Sequence, residues 1–319
     1  MKTIDVTALG ELLIDFTQNG TSEQGNPLFE ANPGGAPCNV LAMLSKLGHK
    51  TAFIGKVGND SFGKQLKDVL EEVGIDATHL SMDDEVHTTL ALVHTFADGD
   101  RDFSFYRNPG ADMMLTEEEI PEELIRDSKI FHFGTLSMTH EGVRAATKKA
   151  LDIAKKSGCI ISFDPNLRPP LWDSLELAKE QVLYGLKFCD VLKISDNEIQ
   201  WLTGEEDYTA GVNWILDRFQ IPLILVSMGR EGSRAYYKGN MVEAKPFLQK
   251  NTIETTGAGD TFGGCVLHYI LQHGLEDLTE ENLAEMLRFA NAAAALITTR
   301  KGALRVMPSK EEVEKILQE

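Results

Sequence analysis

Asp260 stands in a setting that suggests chemistry. The stretch "ETTGAGDTFGGCV", Glu254 to Val266, crowds Gly257, Gly259, Gly263 and Gly264 around it. Phe262, Val266, Tyr269 and Ile270 then recur at helical spacing and Gly274 follows as a stop, so "TTGAGD" lies at a helix N-terminus. The first N–H groups of a helix lack intrahelical partners and carry the positive end of its dipole. Glycine lets the chain curl and lets an anion approach those amides. Gly257, Ala258 and Gly259 can therefore form an anion cradle with a carboxylate beside it. A carboxylate is no ligand for phosphate, but it can take the proton from a hydroxyl that attacks phosphate. The same residues also fit a tight glycine turn capped by Asp260, with no ligand. The segment is not a P-loop, since G-x-x-x-x-G-K-[ST] is absent, and no G-x-G-x-x-G follows the first strand pattern, so a nicotinamide enzyme has no support.

A second glycine cluster has the same layout. In "NPGGAPCNVLAMLSKLG" (32–48), Gly34 and Gly35 lead into a helix whose Val40, Met43, Leu44 and Leu47 form an apolar stripe. Asn39 lies in its first turn and offers both donors and an acceptor, which suits a polyhydroxy ligand such as a sugar. A loop joining a strand to a core helix fits equally. Asp15, in the apolar context "LLIDF", could accept hydrogen bonds from sugar hydroxyls.

Other elements must hold these groups in place. The runs "TAFIGKV" (51–57), "CIISFDP" (159–165), "DVLKIS" (190–195) and "PLILVSMG" (222–229) are short, apolar and separated by helical patterns, as in a buried parallel sheet. "TTLALVHTFADGDRDFSFYR" (88–107) reads as a hairpin turning at Asp98-Gly99, with Phe103 and Phe105 on one face. With two extended pieces between about 12 and 34, it predicts a four-stranded flap that closes over a cleft. Helices are expected over 260–273, about 280–298, and 309–318, the last opened by the capping box Ser309-x-x-Glu312.

The chain has 319 residues and a formal net charge of −18, which argues against nucleic acid as a partner. No apolar run approaches the ~18 residues of a membrane span. The N-terminus reads as a first strand rather than a signal peptide. Cys38, Cys159, Cys189 and Cys265 are scattered, as expected of reduced, mostly buried thiols in a cytoplasmic protein.

The two glycine clusters together resemble the signatures of the ribokinase-like (PfkB) carbohydrate kinases: "PGGAPCNVLAMLSKLG" with "IGKVGND" the N-terminal one, "ETTGAGDTFGG" the C-terminal one. The likeness extends from "GELLIDF" to "TRKGA". "FYRNPGADMML" (105–115), "HFGTLS" (132–137) and "FDPNLRPPLW" (163–172) are similar to segments of bacterial and plant fructokinases, and more loosely to 2-keto-3-deoxygluconate kinases. The resemblance implies a Rossmann-like three-layer α/β/α ribokinase-like fold, a single domain over 1–319, with a small β-sheet lid from about 12–34 and 88–110. It implies phosphoryl transfer from ATP to fructose, with Asp260 as base and Gly257, Ala258 and Gly259 as anion hole. Asp15, Gly34, Gly35 and Asn39 would hold the sugar, and Arg107 and Arg168 would reach it. Lys193, Ser195, Glu198, Ser227, Gly229, Gly232, Thr256 and Asn291 would serve the nucleotide, and Glu198 would hold Mg²⁺ through water. Ser195 departs from the family's usual Asn, and Glu254 from the usual Asp in a region that supports K⁺ in several relatives. A homodimer through the lid is a further expectation. A non-catalytic sugar-binding regulator on the same fold is the reading of another class, opposed by the intact Gly-Ala-Gly-Asp.

Overall fold

Apolar runs without polar alternation become the middle of one large sheet. The structure, a computed structural model, describes residues 2–95 and 101–318. Its strands are β1 (Ile4–Leu9), β2 (Leu13–Thr21), β3 (Pro27–Gly34), β4 (Thr51–Gly58), β5 (Ile75–Asp76), β6 (Leu80–Asp83), β7 (Leu90–Thr95), β8 (Arg101–Tyr106), β9 (Ser128–Gly134), β10 (Ile160–Asp164), β11 (Val191–Ser195), β12 (Leu223–Ser227), β13 (Ser233–Tyr237) and β14 (Asn240–Ala244). Ten of them form the order β14-β13-β12-β11-β10-β9-β1-β4-β5, with β6 also paired to β4. Pairing is parallel from β12 to β5 and antiparallel at β13 and β14.

Both faces of this sheet are covered. The helices are α1 (Ala36–Lys46), α2 (Ser61–Glu72), α3 (Glu122–Arg126), α4 (Glu141–Lys156), α5 (Leu175–Leu186), α6 (Asp196–Thr203), α7 (Tyr208–Leu216), α8 (Ala258–His273), α9 (Glu280–Ile297) and α10 (Lys310–Gln318). In β12, Leu223 and Leu225 join a core with α1, α2, α8, α9 and α10, while Ile224 and Val226 join one with α3 to α7. A strand buried on both faces must be apolar throughout, which is why these runs do not alternate. The three-layer α/β/α expectation holds. Ser309 and Glu312 form the predicted capping box, with Ser309 N–H donating to Glu312 Oε2 at 2.7 Å.

The remaining strands make a small separate sheet in the order β3-β2-β7-β8, with β2 and β7 parallel. The expected hairpin is β7 and β8, paired antiparallel; its Asp98-Gly99 turn lies outside the described residues.

Close packing of α8 on α1 depends on one glycine. A Cβ at Gly264 would come 2.8 Å from Met43 Cβ and 3.0 Å from the Val40 carbonyl oxygen, nearer than side chains pack. At Gly263 the nearest atom, Val40 Cγ2, would be an ordinary 3.9 Å away. All four cysteines are free and buried. Among the described residues no helix is long and apolar enough to cross a membrane.

Candidate active site

The α8 N-terminus opens on Gly257, whose φ of 77° places it in the left-handed region and which brings no capping side chain. Ala258 N–H donates to the Thr255 carbonyl at 3.2 Å, and Thr261 N–H returns to the Gly257 carbonyl at 2.8 Å. Asp260 follows within the first turn. On α1, Asn39 Nδ2 donates to Asp260 Oδ2 at 2.7 Å. The carboxylate can only accept, so the amide orientation is fixed by chemistry and Asn39 Oδ1 faces away. That oxygen is buried and without a protein partner, an acceptor awaiting a donor. Burial raises the Asp260 carboxyl above its usual range, against the opposing pull of Asn39, Lys193 and Arg168. A carboxyl so raised, partly open and held by one oxygen, suits a general base.

Two cavities meet at this turn. The first, about 320 Å³, is lined by Asp15, Gly35, Asn39, Arg168, Lys193 and Asp260, with Thr256, Gly257 and Gly259 at its floor. The second, about 340 Å³, is lined by Ser227, Gly229, Gly232, Ala258 and Asn291, and by Pro246, Phe247 and Ala294. Thr255 and Gly259 line both. The first cavity is polar and carboxylate-rich; the second has the apolar wall and glycine turns that suit a flat base and its phosphates.

The first cavity is shaped by groups that only glycine admits. A Cβ at Gly34 would lie 2.3 Å from Asp15 Oδ2, so Gly34 leaves the Asp15 carboxylate its place. Gly35 has φ +130°, and its Cβ would meet the Glu11 carbonyl oxygen at 2.4 Å. Burial pushes the Asp15 carboxyl up to about 7, with Arg168 pulling it down and Glu254 and Asp260 adding to the rise. Lys193 Nζ pairs with Asp164 Oδ2 at 3.0 Å and lies 3.1 Å from where a Gly259 Cβ would stand. Burial alone would lower the Lys193 ammonium, but Asp164, Glu198 and Asp260 hold it above its usual value. Burial likewise pushes Asp164 up to about 6 in spite of Lys193.

Several predicted site residues sit elsewhere. Arg107 lines neither cavity. It is buried, its guanidinium pairing with Asp112 Oδ2 at 2.7 Å and donating to Thr139 Oγ1 at 2.9 Å and the Leu136 carbonyl at 3.0 Å. Thr256 and Lys193, expected at the nucleotide, line the first cavity. Asn291 lines the second, yet its amide is committed: Oδ1 accepts from Ser233 Oγ, and Nδ2 donates to the carbonyls of Ala244 and Lys245. Ser195 and Glu198 line neither. They form the capping box of α6, and Glu198 Oε1 accepts from Leu167 N–H at 2.7 Å. Among the described residues no three His, Cys, Asp or Glu side chains are grouped to ligate a metal directly. Asp164 and Glu198 beside Lys193 fit magnesium held through its waters, the way this ion is commonly bound. The Glu254 carboxylate accepts from Gly302 N–H at 2.7 Å. Glu11, Phe105, Leu136 and Asn166 also line the first cavity; they lie in segments that carried the family resemblance, but the sequence assigned none of them a role in the site.

Comparison with known proteins agrees with this architecture. The family model for pfkB family carbohydrate kinases matches residues 3–310. Fructokinase-2 of Solanum lycopersicum is 43% identical over 319 residues, covering 98% of this chain and 95% of its own. The crystal structure of fructokinase from Xylella fastidiosa with bound ATP superposes with a TM-score of 0.90 at 31% identity, over 100% of this chain and 99% of its own. That of fructokinase from Vibrio cholerae O395 in its fructose, ADP and calcium ion bound form has a TM-score of 0.88 at 30% identity, over 99% and 100%.

Proposed function

The chain belongs to the pfkB family of carbohydrate kinases, and we propose that it is an ATP-dependent fructokinase, converting D-fructose to fructose 6-phosphate. The observation that carries the reading is the meeting of two cavities at the α8 N-terminus, with Asp260 on the polar side. Fructose would occupy the first cavity, with Asp15 and the unpartnered Asn39 Oδ1 accepting from its hydroxyls. ATP would occupy the second, with its γ-phosphate at the 257–260 turn. Asp260 takes the proton of the 6-hydroxyl through Oδ1 while that oxygen bonds to phosphorus and the bond to the ADP oxygen breaks. Amides at the helix end and the Lys193 ammonium offset the charge that develops. Magnesium, when bound, neutralises phosphate oxygens, and Asp164 and Glu198 would hold it through water.

Electrostatics favour a neutral sugar. Arg168 and Lys193 share the cavity with the Glu11, Asp15 and Asp260 carboxyls, so no cation is left uncompensated for the carboxylate of a sugar acid. Arg168, a cation lining the cavity, favours the second reading, 2-keto-3-deoxygluconate. The test is coupled ADP release over fructose, ribose, 2-keto-3-deoxygluconate and adenosine. The fructokinase reading requires the highest kcat/KM on fructose; sugar binding without ADP release would instead support a regulator.

The reading extends to the assembly and ions. The small sheet acts as a lid within a single domain, excluding water as a competing acceptor. Leu28, Phe29 and Tyr106 are 48%, 40% and 62% exposed on it, which supports a homodimer through the lid, testable by sedimentation. Glu254, bonded to Gly302, leaves K⁺ dependence to be measured by replacing K⁺ with tetramethylammonium. The buried free cysteines support a cytoplasmic location.

A further inference from the structure

We infer that Glu11 is a positioning residue for the sugar: it fixes the spacing between Asp15 on β2 and Asn39 on α1. The inference rests on the reading of the first cavity as the sugar site. A helix normally takes a side-chain oxygen at its N-cap to satisfy one of its first N–H groups. α1 cannot, because its N-cap is Gly35, held at φ +130°. The oxygen comes instead from Glu11, 25 residues earlier in the chain, whose Oε1 accepts from Ala36 N–H at 2.8 Å. A carboxylate there also meets the positive end of the helix dipole.

Two further contacts lock the same turns together. A Cβ at Gly35 would strike the Glu11 carbonyl oxygen at 2.4 Å, and one at Gly10 would lie 2.5 Å from Pro37 Cγ. The segment that leads into Asp15 and the segment that leads into Asn39 are thus interlocked by the backbone at Gly10–Glu11 and Gly35–Pro37, and the Glu11 side chain adds a polar clasp just beyond the β2–β3 ladder, whose last pair is Leu13 and Gly34. Glu11 is 4% exposed, and burial pushes its carboxyl up to about 7. A buried acid is costly to keep, and a neutral apolar side chain could fill the same space. What an apolar residue could not do is accept from Ala36 N–H.

The experiment compares Glu11→Ala with Glu11→Gln, whose amide oxygen keeps the acceptor. Glu11→Ala is expected to raise the sugar KM about tenfold, leaving the ATP KM within about twofold, and Glu11→Gln to bring the sugar KM back to within about threefold of wild type. If Glu11→Ala is not recovered folded, Glu11→Asp, one methylene too short to reach Ala36, takes its place with the same expectation. An unchanged sugar KM, an equal rise in the ATP KM, or a Glu11→Gln variant as impaired as Glu11→Ala would overturn the inference while leaving an active kinase. A wild-type protein that releases no ADP with any of the sugars overturns the kinase reading and this inference with it.

Discussion

Asn39 and Asp260 are joined by a 2.7 Å hydrogen bond although 221 residues separate them in the chain. One helical turn further along each helix, Met43 meets the gap left by Gly264. The bond between the polar pair and the contact between the apolar pair therefore report the same helix–helix distance. Packing of the core and alignment of the base are set by one geometry.

Asp260→Asn removes the base and keeps the shape. Asn39 can still donate to the new amide oxygen. Turnover should fall by about 10²–10⁴ with the melting temperature little changed. Near wild-type ADP release from the variant would exclude Asp260 as the base.

Asn39→Asp places a second carboxyl against the first. Like charges sharing a site raise the apparent pKa of the pair. The acid limb of the kcat/KM profile should move to higher pH by about one unit or more. An unmoved limb would show that Asp260 does not govern it.

Gly264→Ala forces a Cβ against Met43 and Val40, and Gly263→Ala does not. The first should lose about 1–3 kcal/mol in denaturant unfolding. The second should be neutral or gain up to about 1 kcal/mol from helix propensity. Equal effects would mean that α1 and α8 do not pack as described.

Asp15 links stability to pH. Its carboxyl is raised from 3.8 to about 7 on folding, so the folded state binds more protons between those values. The raised carboxyl should then give the ligand-free protein a decline in stability as pH rises from about 4 to 7, partly offset by His132 and His268, whose imidazoles burial lowers to about 3 and about 4. Asp15→Asn should make that decline shallower in pH-dependent thermal melts, though not abolish it, because Glu11 contributes with the same sign. A decline as steep as that of wild type would contradict the raised carboxyl.

Arg107 and Asp112 are a buried pair, each side chain about 2% exposed. Arg107→Met leaves Asp112 unpaired and should cost about 3–5 kcal/mol of stability. Adding Asp112→Leu should recover part of it, as a double-mutant cycle would measure. A selective rise in the sugar KM with unchanged stability would return Arg107 to the substrate.

The parts of the site legible in the sequence were those that only unusual residues can make. Gly257 must adopt positive φ and Gly34 must yield to Asp15, so glycine there is informative. The apolar runs of β4, β10, β11 and β12 were legible because a doubly covered strand tolerates no alternation. Glu11 and Asp164 were not legible, since an acid near a strand looks the same whether it faces solvent or a cavity. That Arg107 lies outside both cavities, and that Asn291 lines the second with its amide already bonded, could not be read from the sequence for a related reason. Their polar groups reach partners far along the chain, and residue type alone does not say whether a guanidinium or an amide will be satisfied by protein or by ligand. Gly263 and Gly264 are alike in sequence, and only the helix crossing distinguishes them.

Thr255 and Gly259 form the wall between the two cavities and belong to both. A wall with two faces cannot shift on one side alone. When a ligand in either compartment moves this turn, the volume and polarity of the other compartment change with it. Where a ligand displaces this turn, the two affinities become linked by the same free energy, and the Michaelis constant for one substrate should then vary with the concentration of the other.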